Sequence, residues 1–440
     1  MTGAGTVPGA SLWRAGDFMK LWGAQTVSLA GQQVSQLALP LTAILVLRAT
    51  PLQVGVLTAC QYLPFLLVGL PVGVWADRMR RRPILIVADA ARAAILLSVP
   101  AAFALGILGL WLLYPVAFAV GIFSVFFDVA HQSYLPSLVA REQLVDGNAK
   151  LEVSYQGATL AGPGLAGVLV QALTAPVAIL ANSASFVVSA ALLLLIRRRE
   201  PEPARDREGD AGLVAQVREG LRYVLGHPLL RPIALTTAIS NLFGFFGIVE
   251  AVLALYAIRE LHVSPALLGV TLAAGNVGGV LGAVANRRVV RRLGTGPAIV
   301  VAVVVPSLAI LLLAAATPAT AVVVLGAALV VAWFSAAVYN VNQISLRQAI
   351  TPEAMQGRMN ATIRFLIWGT IPAGALLGGV LAGTVGLRPA LLLAGGLSLL
   401  ACLPVALSPV RRLREIPRPD EQPPAGAAPG GLAAETRGGG

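Results

Sequence analysis

Charge is scarce in this chain: Asp, Glu, Lys and Arg supply 12% of its 440 residues, whereas 57% are hydrophobic and the mean hydropathy is +0.80. Soluble domains carry about 25% charged residues, so an ordinary water-solvated organisation is excluded. Cysteine is nearly missing as well. Cys60 and Cys402 stand far apart inside apolar runs, which excludes a disulfide framework or thiolate metal site and leaves them as small core residues. No glycine-rich loop ends in Gly-Lys-Ser or Gly-Lys-Thr, so nothing points to ATP hydrolysis. Nucleophile constellations and metal-ligand clusters are missing from the sequence too. The chain is therefore not expected to be an enzyme or to carry a cofactor or metal. A formal net charge of +12 would suggest nucleic acid only if the basic residues gathered on one accessible face. They sit in alternate loops, and no nucleic-acid partner is expected. A cleavable leader is not expected either, because the first apolar run has full spanning length and no small-residue cleavage site follows a short core.

What is present is a series of apolar runs, each near the roughly 20 residues that cross a bilayer as a helix. They are uniformly apolar with internal Gly and Ala, unlike the alternating strands of a membrane barrel. The sequence predicts twelve spanning helices over 20–47, 52–75, 83–106, 110–138, 148–171, 176–196, 232–257, 265–286, 296–316, 319–348, 358–383 and 388–407. Lys20, Arg78, Arg80, Arg81, Arg82, Arg141, Lys150, the run from Arg197 to Arg231, Arg287, Arg288, Arg347 and Arg358 fall on one side, and Arg48, Arg259 and Arg388 on the other. By the positive-inside rule, both termini and the central loop are expected in the cytoplasm. Residues 1–196 then form one six-helix bundle and 232–408 a second. The stretch 197–231 reads as a cytoplasmic linker whose Leu213, Val217, Leu221 and Val224 recur at helical spacing opposite Arg218 and Arg222, an amphipathic helix suited to the inner leaflet. Residues 409–440, rich in Pro, Gly and Ala, read as a disordered cytoplasmic tail.

The halves repeat. Phe127-Asp128-Val129 returns as Tyr339-Asn340-Val341, and one offset also pairs Ser133 with Ser345, Asn148-Ala149 with Asn360-Ala361, and Gly167-Val168-Leu169 with Gly379-Val380-Leu381. Two similar bundles around a shared midplane site are the architecture of alternating-access carriers.

Gly73-Val74-Trp75-Ala76-Asp77-Arg78-Met79-Arg80-Arg81-Arg82, between helices 2 and 3, resembles the signature loop of the major facilitator superfamily. Gly162-Pro163-Gly164-Leu165-Ala166-Gly167 in helix 5 is similar to the Gly-Pro motif of that superfamily's antiporters, with Ala158 and Ala166 standing where glycines are the rule. Asp89, Arg92, Asp128, Tyr134-Leu135-Pro136 and Asn148 resemble the branch that contains macrolide-efflux and enterobactin-exporter proteins. The resemblance covers all twelve helices. It implies an all-α membrane protein of two pseudo-symmetric six-helix bundles, acting as a monomer, that exports a hydrophobic or amphiphilic drug, macrolide or siderophore-like compound against protons. One departure matters: many proton-coupled exporters of the superfamily carry an Arg within helix 4, and none occurs here between Arg92 and Arg141. Proton coupling would have to use other residues.

Asp77 is placed to face the N-terminus of helix 11, whose free N–H groups favour a carboxylate by about 0.3–1 kcal/mol. With Gly73, Arg78, Arg81 and Arg82 it would close an inner gate, Arg78 and Arg81 reaching Asp128 in helix 4. An ionisable group on a membrane helix is costly and faces a partner or a wet cavity, so Asp128 is either that partner or a proton carrier. Its repeat mate Asn340 is neutral. Glu250 in helix 7 has no basic residue within a turn or two, and is either a protonation site or part of a hydrated outer vestibule. Asp89 and Arg92 share a helical face and can neutralise each other. Glu152 and Arg364 occupy matching repeat positions on helices 5 and 11, pairing either across the halves at the cytoplasmic gate, with Arg287 or Arg288 and with Asp77, or within each half. Helices 1, 4, 7 and 10 offer Gln32, Gln33, Gln36, Ser124, His131, Asn241, Phe245, Trp333, Asn340 and Gln343 to a central cavity. Amides among aromatic and aliphatic walls suit a bulky amphiphile, although each amide taken alone is more often a helix–helix hydrogen bond. His131 is either a proton relay or a neutral buried side chain.

The expected function is secondary transport, with efflux of an amphiphile coupled to protons. Uptake or flipping of a lipid-like solute by the same fold, or a sensor that binds without transporting, remain the alternatives. Arginine in place of lysine fits a bacterial inner membrane.

Overall fold

The computed structural model describes residues 12–69, 71, 72, 75, 79–140, 143–198, 200 and 213–415. Among the described residues, nine helices are long and apolar enough to span a membrane over their full lengths: α1 Gly16–Val46, α3 Arg81–Ala104, α4 Leu110–Leu138, α6 Ala175–Leu194, α7 Leu230–Glu260, α8 Pro265–Leu293, α9 Thr295–Ala314, α10 Ala321–Ile350 and α12 Leu387–Ala406. α11, Glu353–Val385, is the tenth, counted from Met355. Two more complete the predicted twelve. α2, Pro51–Leu67, stops at 17 residues. α5, Leu144–Leu173, has 30 residues, but its first half carries Asp146, Asn148, Lys150, Glu152 and Gln156. So polar a stretch belongs on a wet surface.

Within the first half, α1 packs on α5 and α6, α3 on α4 and α6, and α2 on α4; in the second, α10 packs on α8 and α9, α11 on α7, and α12 on α9. The halves meet through α2 with α11 and α5 with α8.

The repeat extends to backbone detail. α1 ends in a π-turn, Thr42–Val46; Arg48 then takes a left-handed φ of 50°, and Thr50 caps α2 ahead of Pro51. α7 ends in a π-turn, Tyr256–Glu260; His262 takes a φ of 55°, and Ser264 caps α8 ahead of Pro265. The hydroxyl satisfies a free N–H of the first turn, and proline has no N–H there to leave unsatisfied. The turns into α6 and α12 correspond as well, with Thr174 at φ 82° and Gly386 at φ 97°. Glycine tolerates that region, whereas another residue pays about 1–3 kcal/mol in strain, and the Thr174 side chain caps nothing. Thr174→Gly should therefore stabilise the detergent-solubilised protein by about 1 kcal/mol, visible as a raised thermal midpoint. A lowered midpoint would show that the threonine side chain holds the turn.

The predicted linker helix forms over Leu213–Gly226. It is docked as well as amphipathic: Arg358 Nη1 of α11 lies 2.6 Å from Glu219 Oε1, and a Cβ on Gly220 would come within 2.8 Å of the Arg358 carbonyl oxygen. At the other end of the linker, Glu200 accepts hydrogen bonds from the Arg81 and Arg82 backbone N–H groups (2.7 and 3.2 Å) and from Arg81 Nη1 (3.1 Å). A carboxylate thus caps α3, where the helix dipole favours it. Residues 409–415, read from composition as disordered tail, are ordered: Pro409–Arg412 forms a 3-10 turn, and the Leu413 and Arg414 carbonyls accept from the N–H groups of Gly296 and Thr295. The first turn of α9 leaves those N–H groups without intrahelical acceptors, which composition alone does not reveal. The rest of the tail lies outside the described residues.

Candidate functional site

A cavity of about 880 Å³ lies among α1, α2, α4, α5, α6 and α11. α1 brings Gln25, Gln32 and Gln36 to it, spaced so that they share one helical face. α4 adds Ser124, Asp128, His131 and Gln132, and α5 adds Asn148, Glu152 and Tyr155. From the second half come Arg364 and Trp368 of α11. Trp368 stacks on Phe65 with 4.6 Å between ring centroids and on Tyr62 with 6.1 Å, giving the cavity an aromatic shelf shared by α2 and α11.

The cavity reaches the ends of α4, α5 and α11 that lie on the arginine-rich face, and the opposite side is sealed. There α2 crosses α11 so closely that a Cβ on Gly55 would stand 2.6 Å from the Ala375 carbonyl oxygen and 3.0 Å from Gly379 Cα. α5 crosses α8 in the same way, with Gly167 against Pro265 and Gly269. Gly55 follows Pro51 by four residues as Gly269 follows Pro265, and Gly167 and Gly379 are the pair already matched by the sequence repeat. The two crossings are therefore copies of one another. Hydrogen bonds also join the halves: Arg259 Nη2 of α7 to the Ala49 oxygen ahead of α2 (2.7 Å), and across α5 and α8 the Ala266 N–H to Gln171 Oε1 (3.1 Å) and Asn276 Nδ2 to the Thr159 oxygen (2.6 Å).

Behind the first-half wall is a buried ionic cluster. Arg92 donates from Nη2 to Asp89 and from Nη1 to Ser124 (3.4 Å), and Asp89 accepts from Ser189 (2.6 Å). The guanidinium lies between the Phe127 and Phe186 rings, 4.4 and 4.1 Å from their centroids. Asp89 and Arg92 do neutralise each other, and Arg92 is also within electrostatic reach of Asp128. The arginine that helix 4 lacks is thus supplied to that helix from α3.

The remaining expected residues fall in several places. Gly73, Asp77 and Arg78 lie outside the described residues. Arg81 is held by Glu200 rather than reaching Asp128, whose charged neighbours are Arg92 and Arg364; the capping of α3 takes Arg81 away. Arg82 donates to the Leu193 and Leu194 carbonyls at the end of α6. Gly162 leaves room for the Gln33 side chain of α1, which turns there and not into the cavity, and the Pro163 carbonyl meets Gly269. Glu152 accepts from Gln156 (2.7 Å) within its own helix. Asn241 donates to the Ile367 oxygen, and Phe245 and Trp333 pack on each other, 6.4 Å apart. Gln343 donates to Asn340. In this conformation those five residues of α7 and α10 are not part of the cavity's lining. Glu250 follows the π-turn Phe245–Val249 and lies within electrostatic reach of Tyr62, which does line it.

Comparison with known proteins follows the same lines. Residues 9–429 match the model of a family described as transmembrane secretion effector. The enterobactin exporter EntS of Citrobacter koseri is 29% identical over 380 residues, covering 81% of this chain and 84% of its own. The multidrug efflux pump Tap of Mycolicibacterium fortuitum is 26% identical over 402 residues, 88% of this chain and 94% of its own. Among solved structures, the nucleoside transporter NupG superposes with a TM-score of 0.74 at 10% identity, over 89% of this chain and 98% of its own. A bacterial ferroportin homologue in its inward-facing state gives 0.69 at 19% identity, over 90% and 99% of the two chains. An outward-facing ferroportin homologue gives 0.56 at 20% identity, over 89% and 98%. The chain is a multi-pass membrane protein that belongs to the transmembrane secretion effector family of major facilitator transporters.

Proposed function

We propose that this chain exports bulky amphiphilic small molecules across a bacterial inner membrane in exchange for protons, as a monomer with both termini in the cytoplasm. The observation that carries this reading is the cavity, open toward the arginine-rich face and sealed on the other. By the positive-inside rule the open face is cytoplasmic, so the carrier stands ready to load from inside the cell. A cavity of about 880 Å³ with an aromatic shelf and a row of amides suits a drug-sized amphiphile. Two relatives whose names record export of enterobactin and efflux of multiple drugs support the direction.

In this mechanism the bundles rock about the cavity. The symmetric glycine crossings part as the inner mouth closes, and Gly73, Asp77 and Arg78, with Arg81 and Arg82 beside them, hold that mouth shut in the outward state. Asp128 and Glu250 are the proton carriers, because each is a carboxylate inside a membrane helix that no ion pair holds among the described residues.

Accumulation of a fluorescent amphiphilic dye in inverted membrane vesicles tests this. Uptake should require an imposed proton gradient, cease when the gradient is collapsed, and fall about tenfold or more in Asp128→Asn and Glu250→Gln. Uptake that survives collapse would instead favour facilitated or lipid-like movement. Ligand binding with no flux at all would favour a sensor.

A further inference from the structure

Resting on the proposed transport function, the distribution of charge in the cavity names the chemistry of the solute. The first-half wall carries two carboxylates, Asp128 of α4 and Glu152 of α5; among the described lining residues, Arg364 is the one Lys or Arg. Arg364 and Glu152 are 364 − 152 = 212 positions apart, the same offset that relates Asn340 to Asp128. Positions related by a two-fold axis across a cleft converge when the cleft shuts, and this pair has opposite charges. In the open state they do not meet. Glu152 is held by Gln156 Nε2 at 2.7 Å. Arg364 reaches Asp128 through space, and among the described residues no carboxylate lies within ion-pair distance of it.

Both carboxylates are exposed to the cavity, and the single guanidinium leaves a net negative charge that attracts a cation. With the mouth shut and the carrier empty, Arg364 is placed to neutralise Glu152. With the halves apart and a solute aboard, a cationic solute takes that role. We infer that the transported solute is a cationic amphiphile, an amine or other onium group on an aromatic body, and that Arg364 takes its place in the empty carrier. The shelf of Tyr62, Phe65 and Trp368 offers ring faces to that body and to its charge. A net anion would face two carboxylates for one guanidinium.

Tetraphenylphosphonium and its anionic isostere tetraphenylborate separate charge from shape. Binding to the detergent-purified full chain is read by tryptophan quenching with no gradient present, Trp368→Phe serving as the blank for micelle partitioning. The phosphonium should bind about tenfold or more tighter than the borate, and Glu152→Gln should weaken it about tenfold. Arg364→Gln should strengthen it about tenfold, because the internal competitor is gone, yet lower vesicle transport of the same ion because the empty carrier cannot return. Arg364→Lys keeps the charge and should bind the phosphonium much as the unmodified chain does. Equal or tighter binding of the borate, or weaker phosphonium binding by Arg364→Gln with Arg364→Lys unaltered, would overturn the inference. A carrier that binds the cation as stated but moves it without protons would refute the coupling and leave this inference standing; proton-driven export of anions would do the reverse.

Discussion

Leucine in place of Gly55 and Gly167 together should hold the carrier open on the face that is now sealed and reduce transport about tenfold or more. Each glycine sits where two helix backbones touch: a Cβ on Gly55 would already be 2.6 Å from the Ala375 oxygen, and a leucine adds three further carbons. Overpacking of this kind costs about 1–3 kcal/mol per site. Closed and open states of a carrier differ by only a few kcal/mol, so one such penalty shifts the balance by about one to two orders of magnitude and two abolish closure. The cost falls only on the state in which the crossings are made, so folding should survive. Cysteines placed at the buried ends of α2 and α8 should become reactive toward a membrane-impermeant reagent from the sealed side. Gly383, by contrast, has open space around it, and Gly383→Ala should leave both transport and labelling unchanged.

Arg92→Met should be the most destabilising single substitution in the first half, costing about 3–5 kcal/mol. Arg92 is 1% exposed and Asp89 0%, so removing the guanidinium leaves a carboxylate buried with only the Ser189 hydroxyl beside it. It also removes the stronger of the two positive charges acting on Asp128, Arg364 being the other. The double variant Arg92→Met, Asp89→Leu deletes both charges and should recover most of the thermal midpoint, since the penalty comes from the unpaired ion and not from losing the pair. If the double variant is as unstable as the single, packing of Arg92 between Phe127 and Phe186 matters more than its charge.

Much of this molecule was legible in the chain. The twelve spans follow from runs of bilayer length, and ten of the described helices pass on length and apolarity, with half or more of the apolar window unburied in all but α1. Of the two that do not pass, α5 carries a polar first half from which Asn148 and Glu152 line the cavity, and α2 is counted only over Pro51–Leu67. The repeat offset that matched Gly167 with Gly379 exposed half of the seal opposite the arginine-rich face. Its other half was present in Thr50-Pro51 with Gly55 and in Ser264-Pro265 with Gly269, which share an offset of 214 rather than 212 because the loops of the two halves differ in length. Gln32, Gln36, Ser124 and His131 were placed at the cavity by helix position alone, whereas Glu152 and Arg364 were expected at a cytoplasmic gate and Asp128 as a gate partner or proton carrier, and all three line the cavity. Residues of α7 and α10 were not excluded by that reasoning, because helical spacing says which face a side chain occupies but not which bundle tilts away. Nor does one-dimensional spacing show that Arg92 of α3 leans on Asp128 of α4, or that Glu200 reaches back to claim Arg81.

Proton movement driven by solute bears most directly on the whole account. In inverted vesicles acidified inside, adding a saturating cationic amphiphile should make the interior lose protons faster than in vesicles without the protein, and both the Asp128→Asn variant and the Gly55→Leu, Gly167→Leu variant should abolish the difference. Solute accumulation with no accompanying proton loss, or proton loss unaffected by either variant, would contradict an exporter that exchanges protons through this cavity.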